Sequence, residues 1–140
     1  MGDTSRHIST RIDLPATEVY DFAADPMNLP RWAAGLAGTQ VERDGERWVT
    51  DSPMGRIFFM FTPRNDLGVL DHEVTLPSGE TVHNPMRVIP DGDCCEVVFT
   101  LRRRPAMSED EYAADAEAVE HDLATLKAIL EGRARRVCRA

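Results

Sequence analysis

The sequence predicts an α+β fold in which an antiparallel sheet of about seven strands is closed by one long C-terminal helix. Three observations carry that prediction. Tyr112, Ala116, Val119, Leu123, Leu126 and Leu130 recur at alternating steps of four and three, which is the apolar stripe of an amphipathic helix. From Val41 to Leu101 no helical period exists, only strand-like pieces separated by turn residues. The first segment alternates with the period of a half-buried strand. With 42% hydrophobic residues in a chain of 140, roughly two thirds of the unfolded surface can be buried, which suits one domain over residues 1–140 with one core.

In chain order, His7 to Leu14 sets Ile8, Thr10, Ile12 and Leu14 against His7, Ser9, Arg11 and Asp13, the pattern of a strand with one wet face. Pro15 stops that strand and opens a helix over Ala16 to Ala24, with Val19, Phe22 and Ala23 inward, ended by Asp25-Pro26. A second short helical turn around Met27 to Leu36 presents Leu29, Trp32 and Leu36. Turns follow at Asp44-Gly45, Ser52-Pro53-Met54-Gly55, Asn65-Asp66-Leu67-Gly68, Pro77-Ser78-Gly79 and Asp91-Gly92. The long helix is expected over about 108–131. Ser108 and Glu111 can form a capping box, Gly132 can supply a left-handed stop, and 133–140 is expected to be a frayed tail. At about 1.5 Å per residue the helix is roughly 36 Å long, enough to cross a small domain and leave room for a pocket beneath a curved sheet.

Two turns set the register. A three-residue loop at Pro77-Ser78-Gly79 pairs Leu76 with Glu80, and so puts His72 opposite Asn84 and Val74 opposite Val82. A two-residue loop at Asp91-Gly92 would pair Pro90 with Asp93, Val88 with Cys95 and Met86 with Val97. One face then collects Leu70, His72, Val74, Val82, Asn84, Met86, Val88, Cys95, Val97, Phe99 and Leu101. The other is polar, with Arg87 opposite Glu96 and Glu73 opposite His83.

The formal charge of −8 argues against a nucleic-acid partner, which requires a positive field. The basic clusters, Arg102 to Arg104 and the tail arginines Arg133, Arg135, Arg136 and Arg139, read as a solvated strand end and a helix tail. No apolar stretch approaches the ~20 residues of a membrane span, and the N-terminus lacks a signal peptide's apolar segment, so a soluble, cytoplasmic protein is expected. Cys94, Cys95 and Cys138 form no disulfide framework and no Cys-x-x-Cys pair; they read as small hydrophobic thiols.

His72 and Asn84 are the only polar interruptions of the inner face, set side by side. Each must find a partner, since an unpaired buried polar group costs about 1 to 3 kcal/mol. They either satisfy each other, the backbone or a trapped water, or face a cavity where they orient a ligand and His72 works as acid or base. No Ser, Cys or Asp completes a triad on that face. His72, Glu73 and His83 do not converge as metal ligands, because His72 faces the other side of the strand, and neither a metal nor an organic cofactor is expected. Trp32, Trp48, Phe59, Leu70, Met86, Val97, Phe99, Tyr112, Val119 and Leu123 are the expected cavity lining, with Trp32 at its mouth among the small residues Ala33, Ala34, Gly35, Ala37 and Gly38.

The order of elements, with Ile8 to Phe22, the segment Asp25-Pro26-Met27-Asn28-Leu29-Pro30-Arg31-Trp32 and the terminal helix, resembles the START/Bet v 1-like (SRPBCC) superfamily, in particular its polyketide cyclase/dehydrase-type members. The resemblance implies a helix-grip fold, with a strongly bent sheet wrapped around the C-terminal helix, two short helices closing one end, and a hydrophobic cavity between. It also implies lipid, sterol, polyketide or hormone ligands and, in a minority of members, cyclisation or dehydration. No catalytic motif is shared across the superfamily, so none is carried over. The preferred expectation is binding of a small hydrophobic ligand of lipid, polyketide or aromatic type. The alternatives are a metal-free cyclase or dehydratase using His72, and a protein-interaction module with a dry, filled core. The chain is expected to be a monomer or weak dimer.

Overall fold

The computed structural model describes residues 4–133. Strand β1 (Ser5–Ile12) leads into α1 (Ala16–Ala23), then a chain of short turns: a 3-10 turn at Pro26–Asn28, the one-turn helix α2 (Leu29–Trp32) and a second 3-10 turn at Ala34–Leu36. Seven strands follow: β2 (Val41–Asp44), β3 (Arg47–Ser52), β4 (Gly55–Phe61), β5 (His72–Thr75), β6 (Thr81–Asn84), β7 (Met86–Asp91) and β8 (Cys94–Arg102). Helix α3 (Glu109–Arg133) ends the described chain.

Every strand pairing is antiparallel, in the orders β1-β8-β7 and β2-β3-β4-β5-β6. The eighth strand, one more than expected, arises at Pro85. Proline has no N–H to give a ladder, so the run from Thr81 to Asp91 breaks there into β6 and β7. The carbonyl of Pro85 accepts from Thr100 N at 2.9 Å, which keeps the corner tied to β8. On the other side, Leu70 N donates to Met86 O and Val88 N to Gly68 O, each at 2.8 Å, so residues 68–70 join the two sheets into one bent surface. Gly68 permits that approach: its φ is +71°, and a Cβ there would lie 2.2 Å from the Val88 carbonyl oxygen.

The side chain of Asp71 fastens the bend. It accepts from the Met86 amide at 2.9 Å and takes both arms of the Arg87 guanidinium at 3.0 and 2.9 Å. That two-pronged pairing holds the Asp71 carboxyl below its ordinary range. Arg87 therefore does not face Glu96, as the sequence suggested. The β7–β8 turn is built on Gly92-Asp93, with Asp91 opposite Cys94, so the register sits two residues from the expected one. Gly92 has φ +62° at the first central position, the sign that a type II′ hairpin requires. A shift of two preserves the faces, and Met86, Val88, Cys95 and Val97 all point inward. The Pro77-Ser78-Gly79 loop pairs as expected, with His72 opposite Asn84 and Glu73 opposite His83.

Helix α3 starts with the expected capping box: Glu111 N donates to Ser108 Oγ at 3.1 Å and Ser108 N to Glu111 Oε1 at 3.0 Å. It does not stop at Gly132, which lacks a positive φ, but runs to Arg133. The expected frayed tail, its arginines and Cys138 lie outside the described residues. Leu123, Leu126 and Leu130 enter one core with Ile12, Val19, Phe22, Met86 and Val97. Tyr112 and Ala116 form a smaller cluster with Leu101 and Met107. Cys95 is a buried free thiol whose pKa burial pushes up to about 11, whereas Cys94 is disulfide-bonded, against the expectation of plain thiols.

Candidate functional site

A cavity of about 260 Å³ lies between the five-stranded part of the sheet, α2 with the turn that follows it, and the middle of α3. Strands β4, β5 and β6 contribute Ile57, Phe59, His72, Val74 and Asn84; α3 contributes Val119, Asp122 and Leu123; the short turns contribute Leu29, Trp32, Gly35 and Leu36. Met54, on the turn between β3 and β4, lines the cavity and is itself exposed, so it marks the opening. Ala33 and Gly35 carry too little volume to close the space under the turn, while α2 still buries Leu29 and Trp32 to anchor it. Asp122 holds this flap from below, accepting the Ala34 amide on Oδ1 at 3.0 Å.

His72 stands in the wall between aromatic rings. Phe61 stacks on it with centroids 5.0 Å apart and planes 17° apart, and Phe99 meets it edge-on at 6.0 Å. Its Nδ1 lies 2.9 Å from the Leu70 carbonyl oxygen, which can only accept, so Nδ1 carries the proton and Nε2 the lone pair. Burial lowers the pKa of His72, outweighing the carbonyl contact and the nearby Asp71 charge, and so favours the neutral ring. Asn84 Nδ2 lies 3.5 Å from that Nε2, the outer limit of a hydrogen bond. The pair is adjacent without being tightly satisfied, which leaves both able to bond a third group. Burial raises the pKa of Asp122, and the Ala34 amide pulls it back. Trp32 lines the cavity with its ring, and its buried Nε1–H has no partner among the described residues.

Of the ten apolar and aromatic residues expected to line the cavity, Trp32, Phe59, Phe99, Val119 and Leu123 do so. Leu70, Met86 and Val97 lie instead in the filled core, at most 1% exposed, where α1 and the C-terminal half of α3 cover the sheet. Trp48 shares the inner face with Phe59, its register partner, but packs beside the core under the Arg43 guanidinium. Tyr112 is turned away: its hydroxyl donates to the Leu101 carbonyl at 3.1 Å within the smaller cluster. The sequence reading missed Ile57, because Ile57 to Phe61 is apolar at every position and shows no preferred face. It also missed Asp122, although three residues from Val119 placed it on the edge of the inward stripe.

The profile of the family described as "Polyketide cyclase / dehydrase and lipid transport" matches residues 4–135. No curated protein matches the chain. Among solved structures, the protein XoxI of Bacillus cereus superposes with a TM-score of 0.71 at 14% identity, over 95% of this chain and all of that one. A START superfamily protein of Mycobacterium smegmatis gives 0.66 at 14% identity, over 93% and 99% of the two chains. The di-domain ARO/CYC protein BexL of the BE-7585A biosynthetic pathway gives 0.66 at 20% identity, with 91% of this chain matching 46% of BexL. At these identities the structural likeness establishes the helix-grip fold and nothing finer.

Proposed function

The chain belongs to the polyketide cyclase/dehydrase and lipid transport family, and from that premise we propose that it binds a small, largely apolar ligand in the cavity between the sheet and α3. The observation that supports this reading is the wall itself. It is apolar except for His72, Asn84 and Asp122, the usual make-up of a ligand pocket: many hydrophobic contacts and a few placed polar groups. His72 and Asn84 orient the ligand's polar end. A protein-interaction module would have a filled interior beneath α2, and the cavity argues against it.

One feature favours a second reading, cyclisation or dehydration. A neutral imidazole whose lone pair is only weakly engaged by Asn84 can take a proton from a carbon next to a carbonyl and return it to a departing hydroxyl, which leaves as water. An Asn84 N–H would polarise the carbonyl. Tyr112 cannot take that role, because its hydroxyl is committed to the Leu101 carbonyl.

Native mass spectra and thermal shifts against fatty acids, sterols, flavonoids and aromatic polyketides, with His72→Ala and Asn84→Ala in parallel, test both readings. A bound species that stabilises the protein, weakened by both substitutions, supports the site. Product formation lost in His72→Ala with binding retained supports catalysis. Failure of every ligand class to bind would remove the proposal.

A further inference from the structure

Most of the cavity's polar groups are acceptors; among the described residues the buried Trp32 Nε1–H is the one unpartnered donor beside them. Nε2 of His72 carries a lone pair because Nδ1–H is committed to the Leu70 carbonyl. One oxygen of Asp122 receives the Ala34 amide, while the other has no partner among the described residues. The amide nitrogen of Asn84 faces His72, which leaves its Oδ1 without a partner among the described residues. Among the described residues no Lys or Arg lines the cavity. A carboxylate ligand, an acceptor only, would thus meet acceptors on several sides, and its charge would be taken out of water beside Asp122 with no cation to pair it. A hydroxyl or ammonium group would supply the hydrogens that these acceptors lack. The volume, about 260 Å³, is that of roughly nine water molecules at about 30 Å³ each, which suits a molecule of one or two rings.

We propose that the cavity selects small aromatic or alicyclic molecules bearing a hydrogen-bond-donating head, a hydroxyl or an amine, and refuses the corresponding carboxylates. The inference rests on the binding role proposed above and narrows it to a ligand class. Asp122 is then both the fastener of the Ala34–Leu36 turn and a specificity-determining residue, because it receives the donor directly beneath the flap it holds.

Matched probe sets measured by calorimetry at pH 8 test it: benzyl alcohol, benzylamine and benzoate, and 2-naphthol, 2-naphthylmethylamine and 2-naphthoate. The hydroxyl or amine member of at least one set is expected to bind about a hundredfold or more tighter than its carboxylate, the scale of an uncompensated like-charge contact. A tighter amine marks Asp122 as the receiving group, and a tighter alcohol marks His72 and Asn84. In Asp122→Asn, carboxylate binding is expected to rise tenfold or more and amine binding to fall tenfold or more. Should that variant fail to fold, the wild-type ratios still decide. Carboxylates binding within tenfold of the alcohols would overturn the selectivity and leave the cavity as a binding site. Binding of none of the six probes would overturn the binding role and the selectivity with it.

Discussion

Helix α3 crosses two halves of one curved sheet, and the halves meet it differently. Against β1, β8 and β7 the inner face is sealed: Ile12, Val97 and Leu126 have no exposed surface, and α1 adds Val19 and Phe22. Against β4, β5 and β6 the face keeps the same alternation, but α2 and the small residues after it roof it incompletely, and a cavity holding His72, Asn84 and Asp122 remains. The hydrophobic pattern of the strands is alike in the two halves. The difference comes from what lies over them and from the Pro85 corner, which turns one half away from the other. Stability should therefore reside mainly in the sealed half and ligand specificity in the open one, a division that substitutions can break.

Leu126→Ala should have the largest effect on stability, about 2–5 kcal/mol, because it opens a void among fully packed neighbours. Chemical denaturation measures it, and a loss below about 1 kcal/mol would mean that the sealed half is not sealed. Asp71→Asn acts at the corner between the halves and should cost about 1–2 kcal/mol, discounted because Arg87 is half exposed. The pH dependence gives the sign. The carboxyl's folded pKa lies below its unfolded value, near 3.9, so its stabilisation is present at neutral pH and disappears as pH falls through the folded value. The wild type should lose its advantage over Asp71→Asn in acid; a constant gap down to pH 2 would show that the charge pair is not what holds the corner.

The same division explains what the sequence made legible. Period located α3, the Ser108–Glu111 box located its cap, and the Gly79 turn placed His72 beside Asn84, because those signals are local. Faces survived the misplaced β7–β8 turn since a two-residue slip leaves alternation intact. What period could not settle was which inner residues end up covered. Leu70, Met86 and Val97 carry the same pattern as Val74, yet the first three are buried in the core that α1 and α3 share, and that packing is set by elements distant in sequence. Asp122 was hidden for the opposite reason: it reads as a flank of a solvated helix until the Ala34 turn docks against it.

Two smaller effects probe the open half. Val119→Phe should change stability by less than about 1 kcal/mol, because the ring enters space that is already empty, while ligand binding is lost. A large destabilisation would mean that the cavity collapses in solution. The smallest effect is the pH trace of His72. Its folded pKa is lowered by burial, so below the ordinary value near 6.5 the unfolded chain takes up the proton before the folded one does. The contribution is nil above that value and becomes destabilising as pH drops beneath it. Melting temperatures of wild type and His72→Phe, followed from pH 8 to pH 5, should diverge, the wild type falling further; the phenyl ring keeps the stack between Phe61 and Phe99 in the comparison. Parallel curves would mean that the imidazole is as well solvated folded as unfolded, and that its lone pair faces water rather than a sheltered cavity.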